Sequence, residues 1–146
     1  MNMRARDPKI NVLRYMELFS ACSEKELARV AAVLTAVTIP AGHVLTQEDR
    51  REREQCFLIV EGEVAVTRGG VQLATIGAGG LVGEAATLTG ERRSATVIAL
   101  TPLRTFIFDP RTFQPVLDTM PAVRASVLRC LAGRLRSVDA EIAAAR

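Results

Sequence analysis

The 146-residue chain holds one histidine, no tryptophan, one tyrosine and three cysteines. Each scarcity removes a class of chemistry. A β-rich metalloenzyme needs several histidines, and His43 stands by itself, so no metal ligands are assigned and His43 reads as a turn or strand residue. A Ser/His/Asp hydrolase fails for the same reason, because nothing pairs His43 with a nucleophile. No catalytic residues are assigned and the chain is not expected to be an enzyme. Cys22, Cys56 and Cys130 are isolated, with neither C-x-x-C nor Cys/His spacing. They read as reduced thiols, which fits the cytoplasm. No apolar run reaches membrane-spanning length, and "MNMRARDPKINVLRYMELF" (1–19) has none long enough for a signal peptide. Charge of one sign is not concentrated either. The net charge is +3, carried in mixed clusters such as "EDRRERE" (48–54), and no long basic face argues for nucleic acid. Gly77-Ala78-Gly79-Gly80 lacks the lysine and the following long helix of a nucleoside-triphosphate loop.

What is present is a chain of 49% hydrophobic and 24% charged residues, which reads as one globular domain over residues 1–146. Apolar residues Val12, Leu13, Met16, Leu18, Phe19, then Leu27, Val30, Ala31 and Leu34 recur at helical spacing. Ser23 with Glu26 three residues on is a capping-box pattern, so a second helix is expected near Glu24 within a helical lead-in over 1–35. From 36 to 109 the texture changes to short runs rich in Val, Ile, Thr and Phe: 36–39, 43–46, 56–62, 63–68, 71–76, 94–100 and 103–108. Glycine, proline and charged clusters separate them. "VTRGGVQL" reads as a hairpin whose Gly69-Gly70 supplies a primed turn. The spacing predicts an antiparallel β-roll or jelly-roll barrel, making the fold α+β and mainly β. Over 110–146 the period is helical again. Asp109 is the expected N-cap and Pro110 the first helical residue, and a longer helix starts near Pro121. Along it Leu128, Leu131, Leu135, Val138 and Ile142 form a heptad-like stripe, suited to core packing or to a homodimer seam.

The chemistry concentrates in "GEAATLTGERRSATV" (83–97). Four glycines within residues 77–83 let the backbone bend closely around a ligand. Gly83 precedes Glu84-Ala85-Ala86-Thr87-Leu88, the length of one helical turn, whose start offers unpaired N–H groups to an anion. If a phosphate lies there, the planar fork of Arg93 suits it. Glu84 would repel that anion, so its role is to accept from a hydroxyl of the same ligand, and a ribose supplies one. Phosphate and sugar hydroxyl in one turn point to a nucleotide. A structural ion pair between Glu84 and Arg93 is the alternative reading.

The stretch resembles the phosphate-binding cassette of cyclic nucleotide-binding domains, which runs roughly F-G-E-apolar-A-L-L and then P-R-x-A-T-V. Here it stands as Val82-Gly83-Glu84-Ala85-Ala86-Thr87-Leu88, then Arg92-Arg93-Ser94-Ala95-Thr96-Val97, within a cassette over 79–97. "LFSACSEKELARVA" (18–31), "IPAGHVLTQED" (39–49) and "CFLIVEGEVAV" (56–66) resemble the flanking parts of the same family. Val82 replaces the usual aromatic residue, Thr87 an aliphatic one, Arg92 a common proline, and Glu48-Asp49 stands where Glu-Gly is common. The resemblance implies that Glu84 binds the ribose 2′-hydroxyl and Arg93 the cyclic phosphate. It implies further that the amides of Ala85 and Ala86 bind that phosphate, and that Ser94 adds a bond to phosphate or base. Gly83, Val82 and Thr96 complete the expected ligand set. Leu128, Arg129, Leu131, Ala132, Leu135 and Arg136 are the expected lid over the base.

The function so implied is a sensor of cyclic nucleotide, cAMP first and cGMP second, that passes occupancy through its C-terminal helices to an effector protein. Family members that prefer cGMP carry threonine after the arginine, and Ser94 leaves the base open. A catabolite-activator-type regulator continues into a helix-turn-helix, whereas this chain stops at Arg146, so no DNA-binding or catalytic domain is expected. A ligand-free interaction module, or the excised regulatory domain of a channel, transferase or transcription factor, is the alternative. The leading Met1 favours a complete small protein.

Overall fold

Ser23 Oγ accepts from the Glu26 backbone N–H at 3.2 Å, and the Glu26 carboxylate accepts from the Ser23 N–H at 2.9 Å. This capping box starts helix α2 (Glu24–Ala32) where the sequence places it. The computed structural model describes residues 7–47, 56–83, 95–108, 110–126 and 128–129. Helix α1 (Lys9–Arg14) and a 3-10 turn (Glu17–Phe19) precede α2. Arg14 donates to both oxygens of Glu24 at 2.9 Å and so ties the end of α1 to the start of α2.

Eight strands follow: β1 (Leu34–Ile39), β2 (Val44–Thr46), β3 (Cys56–Glu61), β4 (Val64–Arg68), β5 (Val71–Ile76), β6 (Leu81–Val82), β7 (Thr96–Ala99) and β8 (Leu103–Phe108). They form two antiparallel sheets, in the orders β1-β8-β3-β6 and β2-β7-β4-β5. Strands adjacent in sequence repeatedly fall in different sheets, and the result is the β-roll that the strand spacing implies. Gly69 (φ 56°) and Gly70 (φ 79°) make the tight β4–β5 turn, with Arg68 opposite Val71. Helix α3 (Pro110–Thr119) begins at Pro110, and residues 121–126 are helical as well.

Strand alternation sorts the apolar residues into two cores. On β3, Cys56 and Leu58 face α1, α2 and the C-terminal helical segments, while Phe57 and Ile59 face the roll interior. On β8, Phe106 and Phe108 join the helical core and Leu103 the interior. The helical core covers one face of β3 and the roll interior the other, which is why its first four residues are all buried.

Two local readings change. Leu34, which the spacing puts on the helical stripe, is the first residue of β1 and lies opposite Phe108. The β-branched run that follows it extends and pairs with β8, and that pairing overrides the helical period. Strand β6 has no counterpart among the expected runs, because its two residues follow a glycine-rich turn and two residues carry no alternation to read. Its existence rests on tertiary pairing, with Phe57 opposite Val82 and Leu58 opposite Leu81.

Candidate functional site

The segment 84–94 leaves the first sheet at Gly83 and returns to the second at Ala95. The chain on either side of it enters one interior cluster, where Val82, Ala95 and Val97 join Leu45, Phe57, Ile59, Val64 and Val66. The chain leading into the segment is fixed to β3. Gly79 N–H donates to Ile59 O at 2.8 Å, and Ile59 N–H donates to Gly80 O at 2.9 Å. Gly83 closes β6 at φ 90°, a left-handed conformation that glycine adopts without strain. The chain leading out is fixed from the other side, where β7 pairs with both β2 and β4.

Of the expected ligand set, Val82 is 1% exposed and packed in the interior cluster, and Thr96 is half-buried opposite Thr67 on β4. Gly83 borders the segment directly. Glu84, Ala85, Ala86, Arg93 and Ser94 lie outside the described residues. Of the expected lid, Leu128 is 55% exposed, and Arg129 donates to Ser126 Oγ at 2.9 Å. Leu131, Ala132, Leu135 and Arg136 lie outside the described residues, as does Asp109.

Polar side chains are scarce inside. Among the described residues, Thr46, Thr105 and Ser126 are the buried polar ones. Thr105 Oγ1 donates to Val37 O at 2.8 Å, across the β1–β8 ladder. Thr46 Oγ1 donates to Ala95 O at 3.1 Å, where the chain leaves the segment. Sequence reasoning misses Thr46, since a threonine at the end of a three-residue strand carries no signal of which way it faces. Burial pushes the Cys22 thiol up, and the nearby Glu26 charge adds to it, the opposite of the shift that activates a nucleophilic cysteine. His43 is exposed, and its carbonyl accepts from Ala99 N–H at 2.9 Å. No group of three or more potential metal ligands occurs among the described residues. Among the described residues, a groove of about 340 Å³ between α1 and the glycine turn is bordered by Val12, Tyr15, Val60 and Gly79.

Two antiparallel four-stranded sheets, with helices packed on one outer face, define a β-roll. The family model of the cyclic nucleotide-binding domain matches residues 36–120, more than half of the chain, and the chain belongs to that family. It is 34% identical over 107 residues to the cyclic nucleotide-gated potassium channel mll3241 of Mesorhizobium japonicum, covering 73% of this chain and 29% of the channel. It is 34% identical over 88 residues to the cGMP-dependent protein kinase egl-4 of Caenorhabditis elegans, covering 60% of this chain and 11% of the kinase. The chain thus spans under a third of either relative. The cAMP-bound PfPKA-R structure superposes with a TM-score of 0.82 at 19% identity, over 92% of this chain and 46% of that one, a likeness of fold.

Proposed function

We propose that this chain binds a cyclic mononucleotide, cAMP in the first place, and reports its occupancy to a partner protein through the C-terminal helices. The observation that carries the reading is the position of segment 84–94. It holds both charged residues that the ligand needs, it lies within the matched residues 36–120, and both its anchors sit in one apolar cluster. In this reading Glu84 takes the ribose 2′-hydroxyl, Arg93 takes the phosphate, and the amides of Ala85 and Ala86 complete the phosphate cradle. Ser94 adds one hydroxyl contact. A carboxylate and a guanidinium serving different ends of one ligand gain more than an exposed ion pair, which is worth at most about 1 kcal/mol.

The choice of cAMP is supported by the cAMP-bound structural neighbour, and cGMP by the cGMP-dependent kinase relative, so the base is the finer part of the proposal. The lid is the helical stretch that includes Leu128 and Arg129. Leu128, the first residue of the 128–142 stripe, is exposed, and the stripe is the proposed contact for an effector or a second copy of the chain. Residues 1–146 act as one unit, placed in the cytoplasm, and no helix among the described residues is long and apolar enough to cross a membrane. A ligand moves the helices only as far as it binds the closed state better than the open one. Fluorescent cAMP titrated into the purified chain, then displaced by unlabelled cAMP or cGMP, tests the reading. Saturable binding with cAMP the stronger competitor supports it. Absence of saturable binding leaves the fold as an interaction module without ligand.

A further inference from the structure

Strand β2 pairs with β7 irregularly: Val44 lies opposite Ile98, whereas Thr46 lies opposite Val97. Two residues of β2 therefore advance against one of β7, and a bulge of this kind re-aims a side chain. The consequence is visible in burial. Val44 is exposed, while Leu45 and Thr46 are both buried, Leu45 in the interior cluster and Thr46 at only 3% exposure. The hydroxyl turned inward meets the Ala95 carbonyl, 49 residues further along the chain. This bond holds β7 to β2 beyond the last ladder pair, where backbone pairing has ended.

Resting on the cyclic nucleotide reading above, we propose that Thr46 is a positioning residue for phosphate recognition, holding in place the chain that carries Arg93. Ser94 alone separates Ala95 from Arg93, so their Cα atoms lie at most about 7 Å apart at full extension. A buried hydroxyl that fixes the Ala95 carbonyl therefore restricts where the guanidinium can stand before ligand arrives. Fixing a binding group in advance raises affinity by cutting the ordering cost of association. The Thr46 methyl fills interior space, so its packing and its hydrogen bond are separable: valine keeps the shape and removes the donor, while serine keeps the donor.

The test is calorimetric titration of the full chain with cAMP, with thermal unfolding of each variant measured in parallel. Thr46→Val is expected to weaken binding on the order of three- to tenfold, in line with one lost buried hydrogen bond. Thr46→Ser is expected within about twofold of the parent, since it keeps the donor. In an Arg93→Lys background the additional Thr46→Val change is expected to have little further effect, because the two residues act as one unit. Should the valine variant not fold, Thr46→Ala takes its place in the same scheme. Parent-like affinity in the donor-less variant, or an equal loss with and without Arg93, overturns the role of Thr46. Absence of binding by the parent chain overturns the underlying ligand reading instead.

Discussion

Leu81 and Val82 are neighbours in the chain and belong to different cores. Leu81 packs with the helical core, among Leu13, Phe19, Phe106 and Met120, and Val82 packs inside the roll. The short strand leading into segment 84–94 is therefore held from both sides, and what happens in the roll interior is one residue away from the helices. Under the proposed function, this adjacency is the physical route by which a ligand in the roll would reach the helical segments outside it.

Truncation separates the two roles. Leu81→Ala is expected to lower stability by about 2–5 kcal/mol, the usual cost of removing a buried leucine. Denaturant unfolding measures it. Ligand affinity of the folded fraction is expected to stay near the parent value, since Leu81 faces away from the roll interior.

Gly62 tests the packing between turns. It adopts φ 102°, and a Cβ there would lie 2.6 Å from both the Pro102 carbonyl oxygen and Leu103 Cδ2. The backbone oxygen cannot retreat cheaply, because Leu100 N–H donates to Glu63 O at 2.9 Å and Glu63 N–H donates to Thr101 Oγ1 at 3.0 Å. Gly62→Ala is expected to destabilise by about 2–4 kcal/mol, from positive φ and overpacking together. At Gly42 an added methyl would meet nothing within 4 Å, so Gly42→Ala feels only the strain of a φ of 87° and is expected to lose less. Denaturant unfolding of the two variants side by side gives the difference.

The capping box tests the lead-in. Ser23→Ala is expected to lower stability by about 1 kcal/mol. The Ser23 N–H and hydroxyl hold the Glu26 carboxyl below its ordinary value of 4.5. A lowered folded-state value means that this contribution is present above pH 4.5 and is lost as pH falls through the lowered value. Denaturant midpoints measured from pH 7 down to about 3 are expected to fall more steeply for the parent than for Glu26→Gln, which keeps the cap without the charge.

Much of the fold was legible because its signals are local. Ser23 with Glu26 marks a helix start, Gly69-Gly70 marks a hairpin, and Pro110 marks the first turn of α3; each needs only its neighbours. Leu34 and the pair Leu81-Val82 were not legible, because their state is set by partners far along the chain, Phe108 for one and Phe57 and Leu58 for the other. The site divides similarly. Glu84 and Arg93, the residues proposed for the ligand, stand out by residue type and spacing, whereas the inward turn of Thr46 toward Ala95 depends on a bulge that its own sequence does not signal.

The central claim is that Arg93 binds the phosphate of a cyclic nucleotide, and calorimetric titration of the parent and of Arg93→Ala with cAMP tests it most directly. The predicted result is saturable binding by the parent and a loss of about 2–5 kcal/mol in the variant, as for removal of a partner to a buried charge. Unchanged cAMP affinity in Arg93→Ala would contradict it.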